Sequence, residues 1–330
     1  MKAVIYGAGA VGSVLGARLF KAGQHVILVA RPDHVAAINE AGLRIRGIEK
    51  LTVHVPAFTD PSVVNGTDLV FLTVKSPDTK NAVKEFAPFL SDSAVVVSLQ
   101  NGVRNPDVIA HIIGEGKIIP GIVRFSATYL KPGEIIHTHE GICIIGERTG
   151  EITKRIKQIY SFMVSGIPTR ISTNIRAELW GKLILNLLNL PFAICGLPFP
   201  KGFENKYLRL ITVEAIKEGM VVVKAAGIKA EYHNLESFLE LLSDEQKIMD
   251  WLAHEPSTRL LRFVSTHQSL IRKTADESDF LTGEIVHLGK KINIKSPINS
   301  YLLYKIKEIK EKAQIEYITP KALWQALNSL

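Results

Sequence analysis

Cysteine is nearly absent from the 330-residue sequence, which contains only Cys143 and Cys195. Two cysteines this far apart provide neither a disulfide framework nor a clustered metal motif, so a reducing compartment is favoured and we expect a cytoplasmic protein. A signal peptide is not expected either, because Met1–Tyr6 leads directly into a glycine-rich motif.

A long run of one charge sign is also lacking. The sequence has 40 Lys and Arg residues against 32 Asp and Glu, and the net charge of +8 is spread along the chain. This balance suits a small anionic ligand, and no nucleic-acid partner is predicted.

The sequence has no uninterrupted apolar run of the kind that crosses a membrane. Leu183–Pro200 carries no charge and approaches the ~18–20 residues that a spanning helix needs. Asn186, Asn189 and several Pro and Gly residues interrupt it, however. We therefore expect a buried helix followed by a turn, and no membrane partner.

The sequence does contain enough apolar residues for two folded domains. Hydrophobic residues make up 46% of it and charged residues 22%, which is typical of globular proteins. Short apolar runs alternate with amphipathic segments at first, which predicts βαβ units and a parallel sheet, whereas helical periods dominate from about Thr173. The predicted fold class is therefore α/β, with an α/β domain over residues 1–170 and an all-helical domain over residues 171–330.

The predicted strands are Ala3–Tyr6, His25–Ala30, Asp68–Val74, Ala94–Leu99, Gly121–Ala127, Glu134–Thr138 and Ile142–Gly146. We expect the last two to form a hairpin through residues 139–141 and to add an antiparallel edge. Helices are predicted after Gly9, Pro32, Pro77 and Pro106, and then over Asn174–Asn189, Glu204–Ala226, Ser257–Arg272, Asp276–Lys291 and Pro297–Lys312.

Residues 3–12 read AVIYGAGAVG, a hydrophobic strand that runs into G-x-G-x-x-G and a helix. In such a motif Gly7 permits a tight turn, Gly9 lets the backbone approach a pyrophosphate, and Gly12 allows close packing of helix and strand. Free N–H groups at the helix start bind the anion. The first domain is therefore predicted to be a Rossmann-type dinucleotide-binding domain, with a cofactor site at Gly7, Ala8, Gly9, Ala10, Val11 and Gly12.

The residue after the second strand indicates which dinucleotide is bound. A site for NAD places Asp or Glu there, on the ribose 2′-hydroxyl, but this sequence has Arg31. A guanidinium would pair with the 2′-phosphate of NADP, so NADP is favoured. The alternative is a solvated loop cation, with Asp33 reaching the ribose.

Two further strand ends point to the same crevice, since parallel sheets bind ligands at the carboxyl ends of their strands. Lys75 follows the third predicted strand and Asn101 follows the fourth. We expect both to contact the cofactor. The alternative is a simple turn, in which Gly102 is the turn glycine and Asn101 adopts a left-handed conformation.

The first helix of the second domain carries polar residues within one stripe of a mostly apolar surface. At ~100° per residue Lys182, Asn186 and Asn189 fall together, and burying them without partners would be costly, so they are expected to line a polar cavity. A lysine in such a cavity is a plausible proton donor to a ketone undergoing hydride transfer. The alternative is an exposed polar stripe.

An acidic cluster over Thr274–Asp279 has two interpretations. Thr274 and Glu277 have the spacing of a capping box, and acidic residues favour a first helical turn. Glu277 could instead belong to the site. His137 and His139 alternate onto one strand face with no third ligand placed nearby, so no metal site is predicted.

Taken together and in this order, the motifs resemble those of the ketopantoate reductase (2-dehydropantoate 2-reductase) family over essentially the whole chain. They are Gly7–Gly12, Arg31, Lys75, Gln100-Asn101-Gly102, Trp180-Gly181-Lys182 with Asn186, Ser265, Glu277 with Asp279 and Gly283, and Ser296-Pro297 with Asn299. The resemblance implies an NADP-binding Rossmann domain, a helical second domain and a substrate held between them. It also implies NADPH-dependent reduction of a small 2-oxo acid, ketopantoate to pantoate, in pantothenate and coenzyme A biosynthesis.

The resemblance also assigns roles to individual residues. It implies that Lys182 is the general acid and that Glu277 is the carboxylate that positions the substrate and supports the lysine. Asn186 and Ser265 would bind the substrate, Ser265 near its carboxylate. Asn101 would bridge cofactor and substrate.

The sequence departs from the family pattern at two positions. The second substrate asparagine, usual eight residues after the lysine, is Leu190 here, although the adjacent Asn189 faces the predicted stripe and could take its place. Ser269 stands where the family often has an aspartate. A different 2-oxo acid or an imine as substrate, a noncatalytic NADP-responsive binding protein, and the oligomeric state, with a homodimer as one candidate, therefore stay open.

Overall fold

The computed structural model describes residues 1–231, 234–255 and 261–330. These residues divide into two compact units, Met1–Ile175 and Arg176–Leu330. The predicted helix over Ser257–Arg272 begins outside the described residues.

The first unit is built on two β-sheets. Its strands are β1 (Lys2–Tyr6), β2 (His25–Val29), β3 (Leu43–Gly47), β4 (Leu51–Val53), β5 (Ala57–Phe58), β6 (Leu69–Leu72), β7 (Val95–Ser98), β8 (Ile118–Val123), β9 (Ser126–Lys131), β10 (Glu134–His139), β11 (Cys143–Ile145) and β12 (Thr169–Ile171). The larger sheet has the order β12-β11-β8-β7-β6-β1-β2-β5, and every pair in it is parallel except β8 with β11. The smaller sheet has the order β4-β3-β10-β9.

Helices and turns connect these strands. The helices are α1 (Ala10–Lys21), α2 (Pro32–Ala41), α3 (Thr79–Phe86), α4 (Asn105–Ile113) and α5 (Lys154–Val164). Short 3₁₀ turns cover Pro61–Val64, Ser76–Asp78, Ala87–Phe89 and Glu115–Lys117.

The larger sheet is apolar on both faces, as a sheet covered by helices requires. Along β1, Ile5 packs into one core cluster with Val14 of α1, while the adjacent Val4 packs into another with Phe86 of α3. Successive side chains of a strand point to opposite faces, so one short strand contributes to both cores. This explains why the strand reads as a continuous apolar run.

Two predictions for residues 121–146 are wrong. The predicted strand Gly121–Ala127 is divided between β8 and β9, which belong to different sheets. The predicted hairpin does not form, because β10 pairs with β3 and β9 whereas β11 pairs with β8 and β12. Residues 139–141 pass between the sheets: a Cβ on Gly141 would lie 2.5 Å from the Arg124 carbonyl oxygen, so the glycine serves a close backbone crossing.

The smaller sheet was not predicted, although β3 contains a signal for it. Leu43 and Ile45 are buried while Arg44 and Arg46 are exposed. This period-2 alternation is typical of a half-buried strand. Its short length and its position next to α2 conceal it in the sequence.

Where the structure describes it, the second unit is helical apart from one pair of two-residue strands. Its helices are α6 (Ile175–Leu185), α7 (Asn189–Cys195), α8 (Lys206–Ala225), α9 (Leu235–Ser243), α10 (Glu245–His254), α11 (Ser265–Ile271), α12 (Thr282–Lys291), α13 (Pro297–Glu311) and α14 (Pro320–Leu327). The strands β13 (Phe199–Pro200) and β14 (Leu261–Arg262) pair antiparallel. Further 3₁₀ turns cover Asn186–Leu188, Lys201–Glu204 and Ser278–Phe280.

Several predicted helices of this unit differ in their bounds. Within the predicted helix 257–272, Leu261–Arg262 form a strand and the helix begins at Ser265. The helix predicted from Asp276 begins at Thr282, and α9, α10 and α14 were not predicted. The helical stretch Ile175–Cys195 is long and apolar enough to cross a membrane, but 83% of its most apolar window is buried inside the protein, as in a core helix.

Gly7→Ala tests the tight turn after β1. Gly7 has a φ of +90°, and a Cβ there would lie 2.7 Å from the Val74 backbone nitrogen. We expect the substitution to lower the free energy of unfolding by about 2–4 kcal/mol, through left-handed strain and overpacking. Urea denaturation measures this. The control is Gly116→Ala, because a Cβ there meets nothing within 4 Å; an equal loss in both variants would contradict the steric account.

Candidate active site

The glycine-rich loop is fixed to the second strand by its own backbone. The N–H groups of Gly7 and Ala8 both donate to the Val29 carbonyl at 2.9 Å. Gly12 packs so closely that a Cβ would overlap Thr73 Oγ1 and lie 3.0 Å from Ile5 Cγ2. The predicted roles of Gly7 in a turn and of Gly12 in close packing therefore have a direct steric basis.

Gly9 differs from the other two glycines because the protein itself leaves room for a side chain there. A Cβ on Gly9 would meet only the Gly7 carbonyl oxygen, at 3.8 Å. The first intrahelical bond of α1 runs from Ser13 N–H to the Gly9 carbonyl, which leaves the N–H groups of Ala10, Val11 and Gly12 without helical acceptors. The first turn of α1 has no acidic residue. These features favour an anion close to the Gly9 backbone.

Arg31 stands where the chain leaves β2, as the extended N-cap residue of α2. Its side chain is exposed, and its Cζ lies 5.8 Å from the ring centroid of Tyr129. No hydrogen bond or ion pair joins the guanidinium to any residue that the structure describes. Asp33, the alternative ribose ligand, is exposed in the first turn of α2, where a carboxylate also favours the helix dipole.

His34, which sequence reasoning missed, links three parts of this region. It is 1% exposed, and its Nδ1 accepts the Gly133 N–H at 2.9 Å. Nε2 therefore carries the proton and donates to Ser13 Oγ at 3.1 Å, and Ser13 Oγ donates to the Ala8 carbonyl at 3.1 Å. Burial lowers the pKa of His34 to about 4; the Arg31 cation adds to this shift, and the Asp33 carboxylate opposes it. The neutral imidazole thus joins the glycine loop to the smaller sheet.

The loops after β6 and β7 are joined by a second buried network. Gln100, predicted only as part of a motif, donates to the Val74 carbonyl at 2.9 Å and to Thr79 Oγ1 at 2.7 Å. Asn105 Nδ2 donates to the Asn101 carbonyl at 2.5 Å and to Ser76 Oγ at 3.0 Å. Lys75 lies in the loop after β6 and Asn101 in the loop after β7, and both residues are half-buried.

The turn interpretation of the Asn101 loop is correct only for its glycine. Gly102 has a φ of +90°, whereas Asn101 is not among the described residues with positive φ. The Asn101 backbone is fixed by its accepted hydrogen bonds from Ser76 and Asn105. Four adjacent strands of the larger sheet accordingly carry these groups at their carboxyl ends: the glycine loop follows β1, Arg31 follows β2, Lys75 follows β6 and Asn101 follows β7.

In the second unit, Lys182 lies near the end of α6 and is half-buried. Glu178, one helical turn earlier and 1% exposed, was not predicted as a site residue. Gly181 allows the close approach of the Glu231 carbonyl, which a Cβ would overlap. The lysine therefore extends from a tightly packed helix, as a positioned proton donor requires.

The polar stripe continues beyond Lys182 through a change of helix type. Residues Asn186–Leu188 form a 3₁₀ turn between α6 and α7, where a continuous helix was predicted. Side chains three residues apart eclipse in a 3₁₀ helix, so Asn186 and Asn189 lie on one side. No described residue hydrogen-bonds either amide side chain, although Asn189 is only 8% exposed. Two adjacent amides are thus available to a ligand.

Leu190, the departure from the family pattern, belongs to the hydrophobic core. It is 1% exposed and packs in one cluster with Phe192, Leu208 and Ile211. At about 120° per residue over the 3₁₀ turn and 100° elsewhere, position 190 turns about 60° further from Lys182 than in a continuous α-helix. The turn therefore aligns position 189 with Asn186 and directs position 190 away from Lys182, to the core.

The remaining site residues lie on α11 and on the segment before α12. Ser265 is the exposed first residue of α11, and Ser269 is buried and donates to the Ser265 carbonyl at 3.0 Å. Glu277 is half-buried and immediately precedes a 3₁₀ turn. The capping-box alternative is wrong, because no helix begins at Thr274 and the Glu277 side chain makes no cap bond.

Two ion pairs fix the segment that carries Glu277. Asp276 accepts the Ser278 N–H at 2.7 Å and pairs with Lys310 of α13. Asp279 pairs with Lys307 of the same helix at 2.6 Å. The carboxylates on both sides of Glu277 are thus tied to one helix. The histidine pair considered for metal binding has another role, since buried His137 lies 2.8 Å from Glu49 and 3.0 Å from the His139 carbonyl.

The fold and the first unit's site define a class: a Rossmann-type dinucleotide-binding domain followed by a helical domain. Comparison with known proteins identifies the family within this class. Residues 3–150 match the family model of ketopantoate reductase PanE/ApbA, and residues 174–310 match the model of its C-terminal domain. The chain belongs to the ketopantoate reductase PanE/ApbA family, a family of oxidoreductases.

Individual relatives match over nearly their whole length. A 2-dehydropantoate 2-reductase from Pyrococcus abyssi is 34% identical over 92% of this chain and 95% of its own. The crystal structure of a PanE/ApbA family ketopantoate reductase from Ralstonia eutropha JMP134 is 33% identical, with a TM-score of 0.81 over 94% of this chain and 99% of its own. A D-mandelate dehydrogenase structure with NADH and anilino(oxo)acetate is 21% identical, covers 99% of this chain and 100% of its own, and has a TM-score of 0.80; it shares the fold.

The pH dependence of stability tests the role of His34. Its pKa is about 4 in the folded state, below the ordinary ~6.5, so its contribution is present above pH ~6.5 and is lost as the pH falls through 4. Between pH 7 and pH 4 we expect this residue to remove about 3 kcal/mol from the free energy of unfolding.

Urea denaturation at both pH values gives the change in the free energy of unfolding between pH 7 and pH 4. The contribution of His34 is the amount by which this change is larger in wild type than in His34→Gln. The control is His25→Gln, because His25 is exposed. A His34→Gln variant that retains the full wild-type pH dependence would show that another group is responsible.

Proposed function

We propose that this protein reduces a small 2-oxo acid to the 2-hydroxy acid with NADPH, and that 2-dehydropantoate is its substrate. One observation carries the proposal: a chain that aligns over 92% of its length with a 2-dehydropantoate 2-reductase also has Lys182 on α6, Asn186 in the 3₁₀ turn that follows it, and Glu277 immediately before another 3₁₀ turn. Pantothenate and coenzyme A biosynthesis, in the cytoplasm, is the corresponding cellular role. Residues 1–170 bind the cofactor, and residues 171–330 bind the substrate and supply the proton.

The residues of the first unit fit NADPH. Gly9 has open space at its Cα, and the N–H groups of Ala10, Val11 and Gly12 lack helical acceptors, which suits a pyrophosphate. Arg31 presents a guanidinium without an acidic partner among the described residues, which suits a 2′-phosphate. Lys75 and Asn101 hold the ribose and nicotinamide end.

NADPH, when bound, supplies a hydride to the keto carbon of the substrate. Lys182 stabilises the developing negative charge on the keto oxygen and donates a proton to it, which leaves the hydroxyl group of the product. Asn186 and Ser265 bind the substrate, Ser265 at its carboxylate, while Glu277 positions the substrate and supports the lysine. Asn101 bridges cofactor and substrate. Orientation and electrostatics thus supply the rate enhancement.

A second candidate is a 2-oxo acid without the terminal hydroxyl of ketopantoate. The burial of Leu190 in the core favours it, because one of the amides usual in the family is missing. A noncatalytic NADP-responsive protein is the candidate of another class, and a binding protein has no need of a proton donor such as Lys182.

A turnover assay with Lys182→Ala tests the catalytic proposal. Oxidation of NADPH and of NADH is followed at 340 nm with ketopantoate and with 2-oxo acids lacking its hydroxyl. We expect wild type to prefer ketopantoate and NADPH. Lys182→Ala is expected to lower kcat by about 10²–10⁴-fold without changing the Kd for NADPH, because the lysine belongs to the second unit.

Lys224→Ala is the control, since Lys224 is an exposed lysine of the same unit. Near-normal kcat in Lys182→Ala would place the proton donor elsewhere. NADPH binding without turnover of any substrate would support the noncatalytic alternative.

Exchanging the polarity of positions 189 and 190 tests the substrate side. Asn189→Leu removes an amide that has no described partner, so we expect the KM for ketopantoate to rise about 5–100-fold with unchanged Kd for NADPH. Leu190→Asn places an amide in the core and is expected to cost about 1–3 kcal/mol of stability without improving KM. Steady-state kinetics and urea denaturation measure both. Improved ketopantoate reduction by Leu190→Asn would refute the assigned orientation.

A further inference from the structure

Tyr129 of β9 lies where it can determine the position of Arg31. The Arg31 Cζ lies 5.8 Å from the centre of the Tyr129 ring, within the range of a cation–π interaction. Arg31 follows β2, a strand of the larger sheet, whereas Tyr129 belongs to β9 of the smaller sheet. The Tyr129 ring thus brings β9 into contact with the residue that follows β2, although the two are far apart in sequence.

The ring itself is held by a buried neighbour. Tyr129 packs against His34 with ring centroids 5.0 Å apart, and its hydroxyl lies 3.3 Å from His34 Nδ1. Since that nitrogen also accepts the Gly133 N–H, the tyrosine hydroxyl is the donor. His34 is in turn bonded to Ser13 of α1. The position of the ring is therefore coupled to the helix that follows the glycine loop.

An aromatic partner has a particular consequence for a guanidinium. A carboxylate would neutralise Arg31 and occupy two of its N–H donors, whereas a ring face attracts the cation and consumes none of the five. The side chain is thereby restricted in its rotamers while its charge and donors stay available to an anion. Restricting a flexible group before binding lowers the entropy lost on binding.

We propose that Tyr129 is a positioning residue for cofactor selection, whose ring holds Arg31 ready for the 2′-phosphate of NADP. This inference rests on the proposed function, in which Arg31 binds that phosphate. The smaller sheet, which contributes Tyr129, is then part of the cofactor site although it contains none of the dinucleotide-binding motif.

Two nucleotides that differ only in the 2′-phosphate isolate this contribution. Calorimetric titration of the full-length protein with 2′,5′-ADP (adenosine 2′,5′-bisphosphate) and with 5′-AMP gives a ratio of two Kd values. In wild type we expect 2′,5′-ADP to bind about 10–100-fold more tightly. Tyr129→Leu is expected to reduce this ratio about 3–10-fold and to leave the Kd for 5′-AMP unchanged, whereas Tyr129→Phe should keep the wild-type ratio.

Further variants control for structural damage and for the route of the effect. Tyr129→Met fills the space without a ring and should behave like Tyr129→Leu, and Leu130→Ala, on the same strand and exposed, should behave like wild type. Combining Tyr129→Leu with Arg31→Ala should weaken 2′,5′-ADP no further than Arg31→Ala alone, because the ring acts through the arginine.

The outcomes separate this proposal from the proposed function. A wild-type preference for 2′,5′-ADP that persists in Tyr129→Leu and Tyr129→Met overturns the role of the ring and leaves Arg31 as the phosphate ligand. Equal weakening of both nucleotides assigns Tyr129 a merely structural role and also overturns it. A wild type without preference overturns the choice of NADP, and the role of Tyr129 with it, while Lys182-dependent turnover stands independently.

Discussion

The close approach of the β1–α1 turn to the end of β6 is the constraint on which the nucleotide-binding half depends. Side chains at Gly7 or Gly12 would overlap Val74 and Thr73 respectively. Because the turn has no side chains at these positions, β1 can lie between β2 and β6 and α1 can begin directly at the sheet's carboxyl edge. The free N–H groups of α1 and the ends of the neighbouring strands thereby come to lie at one edge. A larger residue at either position would separate them.

Buried polar networks fix the loops that this steric constraint brings together. Gln100 and Asn105 join the loop after β6 to the loop after β7, and His34 joins the glycine loop to the smaller sheet. Buried polar groups with satisfied hydrogen bonds specify one geometry more strictly than apolar packing does. Residues that contact no ligand in the proposed mechanism therefore determine where Lys75, Asn101 and Arg31 are. The second unit uses ion pairs for the same purpose, at Asp276 and Asp279.

The sequence predicts those parts of this arrangement that local patterns determine. The strand–glycine–helix motif identifies β1, α1 and the fold class, and apolar runs identify β2, β6 and β7, because a parallel sheet is apolar on both faces. It does not predict the smaller sheet, because the pairing of β3 with β10 joins residues about ninety positions apart and no local pattern specifies it. The false hairpin has the same origin: Glu134–Thr138 and Ile142–Gly146 are adjacent in sequence but pair with different partners. His34 escaped notice because a single histidine in an amphipathic helix carries no pattern, and only its contact with Gly133 reveals its role.

In the second unit, the type of helix determines which of two adjacent residues lies on the polar side. With 100° per residue throughout, position 190 would lie about 80° from Lys182 and position 189 about 20° from it on the other side. The 3₁₀ turn at Asn186–Leu188 moves both by about 60°, so that Asn189 aligns with Asn186 and position 190 turns toward the core. A leucine at 190 and an asparagine at 189 are the residues that this geometry favours, since an amide at 190 would be buried among Phe192, Leu208 and Ile211. The interruption of the helix thus explains why position 190 carries a leucine, and it brings the amide of Asn189 to the same side of the helix as Asn186.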